Sequence, residues 1–342
     1  MYLGIESSCD ETALALMTNE GKIKGEWVLS QIEKHAEYGG VVPDLAVGEH
    51  LKNFIPLLDL ANQEFELSRL VTKIAVTRGP GLVGCLAMGM SFAKSLASIW
   101  SVPLAGINHL HGHAFSVFIP VVNEKLLNIE KYLPHLGLLV SGGNTVLFKI
   151  GLDLKLSVLA KTADDAAGEA LDKGAKLLGI PYPGGAEMER FAVQGNPDAF
   201  DFPRAFSQRK EMKFSFSGLK TSLLYRLNKL QKEDVLRSKY DFCASYQKAV
   251  IDQLALKTSH ALSLQPFKSL GLSGGVANNE SLRKRLLGLS SKNNIYFLPA
   301  EKRHTGDNAA MIAFAALIEL EKLSFEDEKA STFDPSLKLG EY

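Results

Sequence analysis

Apolar residues along the chain gather in short runs that alternate with longer stretches of helical period. "YLGIE" (2–6), "KIAVT" (73–77), "PLAGI" (103–107), "HLGLLVS" (135–141), "LGLSGG" (270–275) and "IYFLP" (295–299) are short and almost continuously apolar. Such runs mark strands covered on both faces. The stretches following Gly81, Ala166, Asn278 and Asn308 carry the longer period and predict helices. Strands and helices in alternation predict an α/β protein with a largely internal sheet.

Two of these regions resemble each other. Residues 2–16, "YLGIESSCDETALAL", and 136–150, "LGLLVSGGNTVLFKI", both run strand, small polar turn, strand. The reversals fall at Ser7 and Ser8 in one and at Ser141, Gly142 and Gly143 in the other. A hairpin opening each half of the chain points to two similar lobes, although turn residues of this kind recur in ordinary hairpins.

With 342 residues the chain can bury a large core, and more than one domain is the usual outcome at this size. Lys plus Arg and Asp plus Glu number 38 each, so any affinity for nucleic acid must come from a local patch. Cys9, Cys85 and Cys243 are scattered without a CxxC, which argues against a disulfide framework or a cysteine-rich zinc site. The start, "MYLGIESSCDET", lacks the basic region of a signal peptide. The most apolar stretch, 81–100, contains Lys94 and several serines and glycines, and reads as a core helix rather than a membrane span. The expectation is a soluble cytoplasmic protein with no membrane partner.

One segment breaks the charge balance. Residues 204–239 hold ten basic residues, Arg204, Arg209, Lys210, Lys213 and Lys220 among them, against three acidic ones, with Phe206, Phe214, Phe216 and Tyr225 interleaved. It is either a solvated helix face or a surface for a phosphate backbone, where counterion release favours binding.

Three glycine-rich turns follow strand-like runs: "VSGGNT" (140–145), "YPGGAEME" (182–189) and "LSGGVANNE" (272–280). Glycine lets backbone N–H groups approach an anion, and the third turn leads into a helix whose amino terminus favours phosphate. None fits GxxxxGK[ST] or GxGxxG, which disfavours P-loop and Rossmann binding. In "TADDAAGEALDKGAKLLG" (162–179) the first acids read as helix caps. Asp172 lies too deep in that helix for capping and could instead accept hydrogen bonds from ribose hydroxyls.

"INHLHGHAFS" (107–116) carries His109, His111 and His113. On a helix, His109 and His113 share a face about 5–6 Å apart while His111 points away. A metal there needs a third ligand, and Asp307 of "HTGDNAAMIA" (304–313) is the best remote partner, unless it is simply a cap. A zinc protease is disfavoured because Leu110 stands where HExxH requires Glu.

Taken together, these motifs resemble the TsaD family of tRNA adenosine threonylcarbamoyltransferases. The resemblance rests on "LGIESSCDET" (3–12), "HAEYGGVVPDLA" (35–46), "AVTRGPGLVG" (75–84), "NHLHGH" (108–113), "LLVSGGNT" (138–145), "DDAAGEALDKGAKLLGIPYPGG" (164–185), "FSFSGLKT" (214–221), "GGVANNESLR" (274–283) and "GDNAAMIA" (306–313). It implies an actin-like, sugar-kinase-like ATPase fold with a nucleotide cleft between two related lobes, at residues 1–133 and 134–342. It implies transfer of threonylcarbamoyl from threonylcarbamoyl-AMP to N6 of the adenosine just 3′ of the anticodon, in tRNAs reading codons that begin with A.

By position, the resemblance makes His109, His113 and Asp307 ligands of one divalent ion, iron(II) or zinc(II). It makes Leu139, Val140, Ser141, Gly142, Gly143, Asp172, Gly185 and Asn279 adenylate contacts, and Glu189 a further nucleotide contact known from the archaeal and eukaryotic branch. Asp10 and Glu11 lie in a motif associated with activity. Implied partners are tRNA, a paralogous scaffold subunit and a small P-loop ATPase. The chain departs from the usual bacterial pattern at Gly48, His111 and Asn144. Three alternatives stay open: a phosphotransferase of the same fold, whose magnesium would need carboxylates rather than imidazoles; a non-catalytic subunit of the same complex, which by the resemblance would lack the histidine pair; and, weakest, a metallohydrolase.

Overall fold

A computed structural model describes residues 1–121, 128–206, 211–322 and 332–341. The chain divides into two compact units. The first combines Met1–Lys131 with Ala300–Tyr342, and the second is Tyr132–Pro299.

The first unit is built on five strands: β1 (Tyr2–Glu6), β2 (Glu11–Met17), β3 (Ile23–Ser30), β4 (Lys73–Gly79) and β5 (Leu104–Asn108). Their order is β3-β2-β1-β4-β5. The β1–β2–β3 meander is antiparallel, while β4 and β5 join parallel to β1. Every residue of β1 is buried, which explains its unbroken apolar run. Between the strands lie α1 (Ile32–Ala36), α2 (Pro43–Glu64), α3 (Leu67–Leu70), α4 (Val83–Trp100) and, after β5, α5 (His109–Ser116). Helix α4 is long and apolar enough to cross a membrane, but its Met90, Ala93 and Leu96 join the same core cluster as β1 and β4.

The second unit opens with the hairpin β6 (His135–Val140) and β7 (Thr145–Ile150), followed by β8 (Leu156–Thr162), α6 (Ala167–Leu177), α7 (Gly184–Ala192) and β9 (Lys213–Phe214). It continues with α8 (Ser217–Leu227), α9 (Lys232–Arg237), α10 (Lys239–Leu264), β10 (Ser269–Ser273), α11 (Glu280–Lys292) and β11 (Tyr296–Pro299). Its sheet runs β11-β10-β6-β7-β8-β9. Apart from the short β9, this is the order of the first sheet repeated, with β6–β7–β8 antiparallel and β10 and β11 parallel to β6. The two hairpins that look alike in sequence thus open two sheets of one topology.

The lobe boundary expected at 133/134 needs correction at the carboxy-terminal end. Residues 300–342 belong to the first unit, not the second. The reason is α12 (Ala309–Leu317), all nine of whose residues are buried. Such a helix needs cover on every side, and it packs against β1, β2, β4 and α5. The approach is so close that a Cβ at Gly4 would lie 2.2 Å from the Ala309 carbonyl oxygen.

Candidate metal centre and nucleotide turns

Helix α5 begins where β5 ends, and Asn108 caps it by accepting a hydrogen bond from the Leu110 N–H at 2.9 Å. That cap fixes the first helical residue, His109, and sets His113 one turn on, with ring centroids 4.8 Å apart. Asp307 reaches the pair from just before α12. Its Oδ1 lies 3.4 Å from His109 Nε2 and 3.0 Å from His113 Nε2. A tetrahedral ion with bonds of about 2.0–2.1 Å holds its ligand atoms about 3.3 Å apart; both Asp307 distances match that spacing, and all three donors lie within 4.8 Å of one another. Among the described residues, His109, His113 and Asp307 are the group able to hold one.

Around the triad lies a support that the sequence reading missed. Glu6, fully buried at the end of β1, faces His109 Nδ1 with Oε2 at 3.1 Å. Glu6 in turn accepts hydrogen bonds from Thr77 Oγ1 at 2.5 Å and from the Ser8 N–H at 2.6 Å. A carboxylate on Nδ1 keeps a proton there, so that Nε2 is the nitrogen that would face a metal, the arrangement metal-binding histidines use. A single Glu ending an apolar strand, in "YLGIES", was the available signal.

Burial alone would raise the Glu6 and Asp307 carboxyls, but the facing histidines outweigh it and hold both below the ordinary carboxylate range. Burial likewise opposes a charge on His109, yet Asp307 and Glu6 draw its pKa well above the usual value. Glu11, at the start of β2, is pushed up to about 9 by burial, then by the negative charges of Asp307 and Asp10. His111, fully buried, turns away from the triad, and its Nδ1 meets Glu319 at 2.5 Å.

In the second unit the glycine turns come together. Leu139 and Val140 end β6, and the Ser141 N–H donates to the Asn144 carbonyl at 2.8 Å. The Ser141 carbonyl accepts from the Gly168 N–H at 3.2 Å in the first turn of α6. A Cβ on Gly142 or Gly143 would meet nothing within 4 Å. The third turn abuts the first: a Cβ on Gly274, at φ +87°, would fall 2.3 Å from the Val140 carbonyl oxygen.

Asp172 does cap a helix after all, though not its own. Its Oδ1 accepts the Gly185 N–H at 2.8 Å at the start of α7. Burial raises its carboxyl, and the Gly185 and Gly184 N–H groups only partly offset that rise. Glu189 Oε1 accepts the Glu280 N–H at 2.7 Å. Asn279 caps α11 through the Leu282 N–H at 2.9 Å and donates to Gln247 Oε1 at 2.8 Å. The amino termini of α6, α7 and α11 therefore gather around the expected adenylate residues.

The basic segment is only partly available as a surface. Arg204 is paired with Asp201 at 2.9 Å and Asp252 at 2.8 Å. Lys213 and Lys220 are exposed. Arg209 and Lys210 lie outside the described residues.

Fold and site define an actin-like ATPase-fold protein with a two-histidine, one-aspartate site in its first unit and helix-start turns in its second. Solved structures support the fold. The chain superposes on HypF from T. kodakarensis with a TM-score of 0.62 at 16% identity, covering 96% of this chain and 49% of that one. It matches component A of the Acidaminococcus fermentans (R)-2-hydroxyglutaryl-CoA dehydratase with a TM-score of 0.51 at 14% identity, covering 94% and 98%. The family profile described as tRNA N6-adenosine threonylcarbamoyltransferase, TsaD, matches residues 22–314, a span that includes all three triad residues. The chain belongs to that family. It is 42% identical to the tRNA N6-adenosine threonylcarbamoyltransferase of Thermosipho africanus, over 99% of this chain and 100% of that protein.

Proposed function

We propose that this chain forms threonylcarbamoyladenosine in tRNA. The threonylcarbamoyl group of threonylcarbamoyl-AMP passes to N6 of the adenosine just 3′ of the anticodon, in tRNAs that read codons beginning with A. The N6 amine forms a bond to the carbamoyl carbon, the bond from that carbon to the phosphate oxygen breaks, AMP leaves with the electron pair, and the amine gives up a proton. The observation that carries this reading is the convergence of His109, His113 and Asp307 at ligand spacing, from positions nearly two hundred residues apart, in a chain of this family.

His109, His113 and Asp307 would hold iron(II) or zinc(II), which supplies Lewis acidity to a carbonyl oxygen when bound. Glu6 holds the proton on His109 Nδ1. Gly142 and Gly143, with Leu139, Val140 and Ser141 behind them, offer backbone N–H groups to the adenylate. Asp172 and Gly185 shape the turn beside it, and Asn279 and Glu189 fix the start of α11, whose dipole favours the phosphate. Asp10 and Glu11 belong to the same motif, and Glu11 feels the charge of Asp307. Lys213 and Lys220 offer charge to a tRNA backbone, whose unstacked loop base is the part such enzymes read. A paralogous scaffold subunit and a small P-loop ATPase complete the assembly, which works in the cytoplasm with its tRNA.

The test incubates the chain with threonylcarbamoyl-AMP and unmodified tRNA, alone and with those partners, followed by nucleoside digestion and mass analysis. Modified adenosine that disappears in His109→Ala is the expected result. Its absence under every combination of partners would overturn the proposal.

A further inference from the structure

Residues 334–341, beyond the span of the family profile, fold back along the metal helix. The Asp334 N–H donates to the Arg78 carbonyl at 2.8 Å, and the Gly81 N–H donates to Pro335 O at 3.4 Å. Contact is tightest at Gly79, where φ is +149° and a Cβ would lie 1.8 Å from the Asp334 carbonyl oxygen. Leu337 and Leu339 are buried, so the segment is packed as well as hydrogen-bonded.

Two residues flanking His109 hold this segment. Asn108 uses both ends of its amide: Oδ1 caps α5, while Nδ2 donates to the Lys338 and Glu341 carbonyls, each at 2.9 Å. Capping needs only the oxygen, so the two donated bonds tie the first turn of α5 to the carboxy-terminal segment. His111 accepts the Gly340 N–H on Nε2 at 3.1 Å. Its Nδ1 bonds Glu319, which follows directly on α12. Asp307 stands at the other end of that same helix, so His111 connects the segment that supplies two metal ligands to the one that supplies the third. Between them α5 and α12 touch at Gly112, where a Cβ would be 3.0 Å from both Met311 and Ile312 side-chain carbons.

A metal triad drawn from two helices depends on their relative placement to within a few tenths of an ångström. We propose that residues 334–341 act as a latch that holds α5 in the geometry the metal requires, with Asn108 and His111 as its positioning residues. The inference rests on the metal reading given above. Neither residue contacts the ion; each acts through the backbone that carries His109 and His113.

Cobalt(II) added to the metal-free full chain, read by its visible absorption, tests the latch without any turnover. Asn108→Ser keeps an oxygen for the Leu110 N–H but cannot donate to both strap carbonyls. It should bind cobalt about tenfold or more weakly, the usual effect of losing an outer partner, with helix content by circular dichroism unchanged. His111→Gln can still present an oxygen to the Gly340 N–H, whereas the shorter His111→Asn cannot, so the Gln variant should retain most of the affinity that the Asn variant loses. If the His111 variants do not fold, Asn108→Ser carries the test alone. Wild-type affinity in both Asn108→Ser and His111→Asn would overturn the latch while leaving the metal reading intact. A wild-type chain that binds no more cobalt than His109→Ala would overturn the metal reading, and the latch with it.

Discussion

The last paired residue on the first strand of each sheet occupies the same place and does opposite work. In the first sheet it is Glu6, opposite Ala13; in the second it is Val140, opposite Thr145. The turn beyond Glu6 carries Asp10 and leads into Glu11 at the start of β2, and that beyond Val140 is Ser141-Gly142-Gly143. One frame therefore ends in the buried carboxylate of Glu6, which suits cations, and the other in bare glycine backbone N–H groups, which suit anions. Topology sets where the two chemistries sit, and a handful of end-of-strand residues decides which is which.

The comparison can be broken first at its charged end. Asp307→Ala removes one of the three proposed ligands outright, and the loss of metal affinity should exceed the ~100-fold ceiling typical of outer partners; zinc competition against a chromophoric chelator measures it. Glu6→Gln, which leaves all three ligands in place, should cost about 10–100-fold by the same measurement. An unchanged affinity would mean that Glu6 serves packing rather than the imidazole.

The second unit carries its own titrating group at the opposite end of the strand. His135, the first residue of β6, is fully buried, and burial pushes its imidazole down to about 3. The unfolded chain takes up that proton near 6.5, so between the two values the unfolded state holds more protons than the folded one. Stability is whole above about pH 6.5 and is lost as the pH falls, by about 1.4 kcal/mol per unit down to about 3. Urea denaturation of His135→Gln at several pH values should show a flatter acid limb than wild type. The smallest effect is expected at Asn279→Ala, where losing the α11 cap costs about 1 kcal/mol and lowers the denaturation midpoint slightly. A larger loss would show that the bond to Gln247 matters more than the cap.

Much of this arrangement could be read from local pattern. The buried strands announced themselves because both faces are covered, and the i, i+4 histidines needed only a helix to become neighbours. What escaped depends on contacts distant in sequence. Nothing near Glu6 names His109, 103 positions away, as its partner. Asp172 looked too deep to be a cap because the helix it caps begins twelve residues later, at Gly184. The return of residues 300–342 to the first unit is equally invisible, since α12 shows only that it is apolar all round, not which sheet covers it. Helix α2 contains Pro56, a residue that local rules treat as a break.

The burial of α12 also has a consequence in time. During synthesis, Tyr132–Pro299 emerges as one uninterrupted stretch, whereas Met1–Lys131 must wait for a helix encoded nearly two hundred residues downstream. Domains commonly fold in the order they leave the ribosome; here the part made first is the part completed last. The nascent chain thus carries its histidines and Glu6 through nearly two hundred further residues without Asp307, so the triad assembles only once synthesis has passed that residue.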